Sequence, residues 1–179
     1  PVFRQGVGLA MEWFPVRACD FIATHGVRGR ALNDFYLGGY LLWRFWPERD
    51  RLPFIDIHQT GTREDRRLAA GVTTNPAAWF ELDDRHHFDW VLLNRYRIEG
   101  DRSQDALDAD TTFAAVFMDD NAVLYVRRSG ALAAVADSFA YRAVPPGPAA
   151  MRAFGASIAA DPARRAAAAR ELERMARES

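Results

Sequence analysis

FAAVFMDDNAVLYVRR, residues Phe113–Arg128, contains two apolar runs that meet at a pair of turn-forming residues. The runs predict β-strands over Thr112–Asp119 and Ala122–Arg128. Asp120 and Asn121, which separate them, tolerate the positive φ that a tight hairpin requires. The stretch therefore predicts an antiparallel hairpin in the C-terminal half of the chain.

Upstream of this hairpin, shorter apolar segments alternate with helical patterns. Three segments predict strands: RALN (Arg30–Asn33), PFIDI (Pro53–Ile57) and DWVLLN (Asp89–Asn94). Helices are predicted over Pro15–His25, Gly38–Trp46 and Pro76–His86. Alternation of this kind is typical of parallel sheets. The sequence thus predicts an α/β fold of two or three layers, with a mixed, mostly parallel sheet of about five strands.

The remaining segments place the loops and the C-terminal tail. Gly61–Gly71, with its charged stretch Arg63–Arg67, is interpreted as a loop, and short helices are predicted over Ser103–Ala109 and Ala131–Tyr141. A proline-rich breaker begins at Pro145 and separates the last two helical patterns from the rest. We therefore expect an α/β domain over residues 1–144 and a helical appendage over 145–179, which could begin a helical repeat.

Composition excludes several classes of function. The net charge is -1 and no basic run is present, which argues against general nucleic-acid binding. The chain has no lysine, so lysine nucleophiles and Walker-type phosphate sites are excluded. Its single cysteine, Cys19, excludes an internal disulfide and a cysteine-rich metal site. No cofactor is expected.

Polar residues follow each strand of the predicted parallel sheet. Because ligands bind beyond the carboxyl ends of parallel strands, we expect a cleft there, formed by Asn33, Asp34, Tyr40, Asp56, His58 and Asn94. Within this set, Asp34, Asp56 and His58 are candidate ligands for a divalent cation or an acid–base pair. The alternative is structural: Asn33 and Asp34 cap the following turn, while Asp56 and His58 bind loop backbone.

An aromatic cluster follows the first predicted strand. It comprises Tyr40, Trp43, Phe45 and Trp46. Aromatic side chains of this kind either fill a core or lie at a membrane interface, where tryptophan and tyrosine meet lipid headgroups. The sequence leaves both alternatives open.

Four stretches, taken in order, resemble a known group of proteins. They are FPVRACDFIATHGVRGRALNDFYLGGYLLWRF (Phe14–Phe45), LPFIDIHQ (Leu52–Gln59), AAWFELDDRHHFDWVLLNR (Ala77–Arg95) and the hairpin stretch. The succession is similar to the soluble C-terminal domain of bacterial multi-pass membrane proteins related to lipid-dependent glycosyltransferases. Where those relatives have Gly-Arg after the aspartate, this chain has Ile57-His58.

This resemblance implies a non-catalytic domain on the extracytoplasmic side of the bacterial inner membrane. Its partners would be the transmembrane portion of the same chain and a glycan or lipid-linked acceptor, which the domain would recognise or cover. Two alternatives stay open from the residues themselves. One is a stand-alone hydrolytic or transferase enzyme with a metal-assisted Asp/His site, and the other is a protein-interaction module built on the helical tail.

Overall fold

A four-stranded mixed sheet forms the centre of the fold. The computed structural model describes residues 13–58, 61–95 and 100–178. The strands are β1 (Ala31–Asn33), β2 (Trp90–Asn94), β3 (Phe113–Met118) and β4 (Ala122–Arg127). Across the sheet their order is β1-β2-β4-β3, with β1 parallel to β2 and the other pairs antiparallel. Among hydrogen-bonded neighbours, only β1 and β2 therefore have their carboxyl ends side by side at one edge, and β4 separates them from β3.

Eight α-helices surround this sheet in the described part of the chain. They are α1 (Val16–Thr24), α2 (Gly38–Phe45), α3 (Arg63–Gly71), α4 (Pro76–His86), α5 (Ser103–Ala109), α6 (Ala133–Phe139), α7 (Pro148–Ala160) and α8 (Pro162–Glu178). The predicted helices over 76–86 and 103–109 are confirmed at both ends. Asn75 accounts for one of these starts, because its side chain accepts a hydrogen bond from Ala77 N at 3.1 Å and Pro76 occupies the first helical position.

Two hydrophobic clusters lie on opposite faces of the sheet. In β2, Trp90 and Leu92 belong to the cluster that includes residues of α1, α2 and α6, while Val91 and Leu93 belong to the other. The second cluster contains residues of α3, α4 and α5, with the tail helices packed against it. Successive strand side chains point to opposite faces, so a strand buried on both sides is apolar throughout.

The prediction of five mostly parallel strands is wrong, because Pro53–Ile57 is not a strand. The side chain of Asn33, and not a neighbouring strand, forms hydrogen bonds with the backbone of this segment. Its Nδ2 donates to Ile55 O at 2.8 Å, and its Oδ1 accepts from Phe54 N at 2.8 Å. A single side-chain amide thus satisfies the backbone groups that a sheet ladder would otherwise pair.

Gly38 allows this segment to lie against the start of α2. A Cβ at this position would overlap Ile55 O and would lie 2.9 Å from the Asp56 Cα. The glycine pair Gly38-Gly39 is therefore asymmetric, since a Cβ on Gly39 would meet nothing within 4 Å.

The interpretation of Gly61–Gly71 as a loop is also wrong, because α3 occupies Arg63–Gly71. Its start is a capping box: Asp65 N donates to Thr62 Oγ1 at 3.1 Å, and Thr62 N donates to Asp65 Oδ2 at 3.2 Å. The Thr-x-x-Asp spacing is visible in the sequence. The dense charges of Arg63–Arg67 lie at the beginning of this helix.

The predicted hairpin is confirmed, but its turn forms by a different mechanism. Neither Asp120 nor Asn121 has a positive φ; among the described non-glycine residues only His87 does. Instead, Asp119 Oδ1 accepts hydrogen bonds from Asn121 N at 2.8 Å and Ala122 N at 2.7 Å. A side-chain carboxylate thus reverses the chain. The register of β3 against β4 shifts between Ala115 and Phe117, which indicates a β-bulge.

The helical tail packs on the sheet domain. Met151, Phe154, Ile158 and Met175 contact the second cluster, and Ala168 is fully buried. Glu171 in α8 fastens the segment after α6, because its carboxylate accepts backbone hydrogen bonds from Arg142, Ala143 and Val144 at 2.8–3.2 Å. Division at residue 144 and a continuing repeat both remain predictions.

Candidate functional site

An open cleft of about 430 Å³ lies at the carboxyl ends of the parallel strands β1 and β2. Strand-end residues, one face of α3 and the segment before α5 form its walls. Its lining residues include Asn33, Asp34, Phe35, Tyr36, Arg66, Ala69, Ala70, Thr73, Leu93, Asp101 and Ser103. This position is where open α/β sheets bind ligands.

Helix α3 contributes a single face to the cleft. Arg66, Ala69 and Ala70 line the cleft from α3, and their spacing of i, i+3 and i+4 places them on one side of the helix. Val72 and Thr73 line it from the turn that follows α3. The capping box at Thr62 fixes the start of α3 and therefore its rotation about its axis. Small alanine side chains at the centre of this face leave room for a ligand.

Asp34 lines the cleft immediately after the end of β1. Its backbone N donates to Leu92 O at 3.0 Å, which extends the β1–β2 pairing by one residue, and its Oδ1 accepts from Tyr36 N at 3.3 Å. Burial raises the pKa of this carboxyl above its ordinary value, and the negative charge of Asp101 adds to the rise. The protonated form of Asp34 is therefore favoured more than in water.

Asp101 faces the same cleft from the segment before α5. Its Oδ1 accepts from both Ser103 N at 2.8 Å and Ser103 Oγ at 2.7 Å. No residue in the described ranges hydrogen-bonds to its other carboxylate oxygen. Two carboxyl groups thus converge on one apolar cavity, which gives the cleft hydrogen-bond acceptors at a few fixed points.

Two aromatic residues stand at the rim. Phe35 is 38% exposed and Tyr36 is 73% exposed, and their rings meet edge to face with centroids 5.5 Å apart. Tyr36 follows directly from the turn that Asp34 caps. Its ring is consequently available to a ligand in the cleft mouth.

Only Asn33 and Asp34 of the sequence-predicted site residues line the cleft. Asp34 caps the next turn, as the structural alternative expected, whereas the buried side chain of Asn33 binds the backbone of residues 54–55. Asp56 is buried with its Oδ1 accepting from His58 N at 2.9 Å, while His58 itself is exposed. The structural alternative is therefore met by Asp34 and Asp56, whereas Asn33 binds the backbone of residues 54–55 and does not cap the turn.

The other predicted residues lie away from the cleft wall. Tyr40 is buried in the cluster on the opposite sheet face, where its ring stacks on Phe14 at 5.2 Å. Asn94 ends β2, and its carbonyl oxygen accepts from Gln104 Nε2 at 3.1 Å. Within the described ranges, no three His, Cys, Asp or Glu side chains are grouped to hold a metal ion. Asp34, Asp56 and His58 therefore do not form such a group.

Sequence reasoning missed most of the cleft. The sequence predicts only a helix start at Ser103 and a loop at Arg66, and it assigns no role to Asp101 or Thr73. The signal that could have found the α3 face is the Thr62-x-x-Asp65 capping box followed by the small residues at 69 and 70.

Of the aromatic cluster, half is core and half is surface. Tyr40 and Phe45 are buried, whereas Trp43 and Trp46 are 68% and 69% exposed. Trp13, next to the ring pair Phe14–Tyr40, is 70% exposed. The core alternative therefore holds for Tyr40 and Phe45, and the membrane-interface alternative stays a prediction for Trp43 and Trp46.

Comparison with known proteins finds no matching family model, and no similar curated protein or solved structure. Among the described residues, no helix combines the length and apolar character needed to span a bilayer.

Proposed function

We propose that this domain is a non-catalytic recognition module that binds a glycan acceptor in the cleft beyond β1 and β2. Its setting would be the extracytoplasmic side of a membrane glycosyltransferase-like protein, as the sequence resemblance implies. The observation that carries the proposal is the cleft itself: an apolar cavity with two carboxyl groups inside and an exposed tyrosine at its mouth. Ligand sites are typically concave and apolar with a small number of placed polar groups.

A neutral, hydroxyl-rich ligand suits these groups. Carboxylates accept hydrogen bonds from hydroxyl groups, and Asp34 and Asp101 both face the cavity. The same two carboxyls disfavour an anionic ligand beside them, while Arg66 of the cleft wall donates Nη1 to Gly61 O at 2.7 Å. A sugar ring also has an apolar C–H face, which can pack on an aromatic ring such as Tyr36.

The exposed tryptophans support a location beside a membrane. Trp43 and Trp46 lie on and just after α2, directly after the Phe35–Leu37 turn at the cleft rim. Exposed tryptophan is enriched where protein meets lipid headgroups. A domain seated on this surface would lie against the lipid headgroups.

The test is glycan binding by matched variants. A panel of methyl glycosides and disaccharides is titrated by calorimetry into the wild-type protein and into Tyr36→Ala and Phe80→Ala. Both positions are exposed aromatics, but Phe80 lies outside the cleft. We expect Tyr36→Ala to weaken binding roughly tenfold and Phe80→Ala to leave it unchanged. Absence of binding across the panel, or equal losses in both variants, would contradict the proposal.

One observation favours a second candidate, an enzyme that uses a carboxyl pair. Burial and Asp101 raise the pKa of Asp34, and a carboxyl kept protonated in a cleft can act as a general acid. This candidate predicts hydrolysis of p-nitrophenyl glycosides that falls by roughly 100-fold or more in Asp34→Asn. The recognition module predicts binding without turnover, so one assay separates the two.

The tail helices α7 and α8 expose few large apolar side chains, which argues against the alternative of an interaction module. Phe154 packs against the second cluster. Of the large apolar residues described in α7 and α8, only Leu172 is exposed, at 39%.

A further inference from the structure

A second groove, of about 420 Å³, lies between α7 and the sheet face that carries Phe113 and Tyr125. Three arginines line it from three separate parts of the chain: Arg128 after β4, Arg142 after α6, and Arg164 in α8. We call this the arginine groove. No pattern in the sequence places these three residues together, because the packing of the tail brings them to one site.

None of the three guanidinium groups forms an ion pair with a described carboxylate. Arg128 Nε donates a hydrogen bond to Phe113 O at 2.8 Å, which anchors the side chain and orients its guanidinium group. Arg142 donates Nη2 to Asp137 O at 3.3 Å. The guanidinium of Arg164 makes no hydrogen bond to any described residue. All three residues are exposed and therefore solvated, and their guanidinium groups remain able to form charge-assisted hydrogen bonds with an anion.

One acid, Asp108, also lines the groove, and other groups already occupy its carboxylate. Tyr125 Oη donates to Asp108 Oδ1 at 2.8 Å, and Gly147 N donates to Oδ2 at 2.8 Å. Burial also raises the pKa of this carboxyl. Asp108 thus serves to hold the start of α7 and competes little for the three arginines.

The rest of the wall is apolar. Pro145 and Phe154 line the groove and are half-buried, so each presents part of its surface to the cavity. Such a wall suits a ligand that carries an apolar group beside its charge.

From this arrangement we infer that the arginine groove binds a phosphate monoester whose ester group is apolar. Arginine presents a planar fork that matches phosphate oxygens, and charge-assisted hydrogen bonds are the strong ones. A phosphate monoester carries close to two negative charges at neutral pH, which complements the positive charges of the three arginines. The apolar group would lie against Pro145 and Phe154. This site is separate from the cleft at β1 and β2 and does not depend on its proposed function.

The experiment uses phenyl phosphate as the probe, with phenol and inorganic phosphate as partial ligands. Binding is measured by calorimetry for the wild type, for Arg164→Gln, and for Arg128→Gln/Arg142→Gln/Arg164→Gln. The matched control is Arg152→Gln/Arg165→Gln/Arg170→Gln, which removes the same charge from exposed arginines outside the groove. Circular dichroism verifies that each variant is folded, and Arg164→Gln breaks no hydrogen bond among the described residues.

We expect phenyl phosphate to bind more tightly than either partial ligand. Arg164→Gln should weaken it roughly tenfold and the groove triple variant should abolish measurable binding, since each arginine contributes a charge-assisted hydrogen bond. Vesicles containing phosphatidic acid form a second arm: binding to them but not to phenyl phosphate would identify the ester as a lipid headgroup. Failure of both probes, or equal losses in the control variant, would overturn the inference.

Discussion

Replacing Asn33 by alanine tests the feature that shapes the cleft edge. The structure uses one side-chain amide to hold the backbone of residues 54–55 beside β1. Truncation removes the donor to Ile55 O and the acceptor for Phe54 N, both at 2.8 Å. Ile55 is buried, so water replaces these bonds poorly.

The expected loss follows from these groups. A buried donor or acceptor that loses its partner costs about 1–3 kcal/mol. Two such groups give a fall of about 3 kcal/mol in the free energy of unfolding. With a urea m-value at the upper end of its usual range, about 3 kcal/mol per M, the midpoint falls by at least about 1 M.

Urea denaturation followed by far-ultraviolet circular dichroism measures this loss. Asn121→Ala is the matched control, because its side chain makes only a marginal hydrogen bond, at 3.5 Å to Phe14 O. We expect the control to change stability by less than about 0.5 kcal/mol. Hydrogen exchange at Phe54 and Ile55 should accelerate only in Asn33→Ala. Equal midpoints in the two variants would refute the account of this segment.

Three further predictions concern the supports of the fold. Gly38→Ala should lower the free energy of unfolding by about 1–3 kcal/mol, because its Cβ overlaps Ile55 O, whereas Gly39→Ala should be neutral or stabilising in a thermal melt. The pKa of Asp65 is lowered to about 2, chiefly by Thr62 and then by His86. The stability that this carboxyl contributes is therefore complete above the ordinary Asp pKa of 3.8 and is lost as the pH falls towards 2. In Thr62→Val, the urea midpoint should depend less on pH between these two values. Glu171→Ala should cost about 3 kcal/mol and expose the amides of residues 142–144 to hydrogen exchange, since they all donate to this carboxylate; unchanged exchange there would contradict its role.

Local signals predicted the parts of the fold that local chemistry determines. Asn75-Pro76 fixed the start of α4, and the apolar runs around Asp120-Asn121 identified the hairpin. Pro53–Ile57 had the composition of a strand but not its partner: the amide of Asn33, distant in sequence, binds its backbone instead. The composition of a segment alone does not reveal that a side chain, and not a neighbouring strand, binds its backbone.

The sequence predicted where the cleft lies but not which residues line it. The rule that ligands bind beyond parallel strand ends predicts a cleft beside Asn33 and Asp34, and a cavity lies there. That this cavity binds a ligand stays a prediction. Its other wall comes from α3 and from Asp101, which reach the cleft only through tertiary packing. Residues 53–57 do not form the predicted strand, which explains why Asp56 and His58 were wrongly predicted to line the cleft. These two residues belong to a loop and not to the edge of the sheet.

Chemical-shift mapping of the glycan titration tests the central claim most directly. A ¹H–¹⁵N correlation spectrum of the wild-type protein is recorded as the best-binding glycoside of the panel is added. We predict that the largest shifts fall on the amides of Asp34, Tyr36, Thr73 and Ser103, which surround one cavity from three segments of the chain. Shifts confined to residues outside this cleft would contradict the claim that it is the binding site.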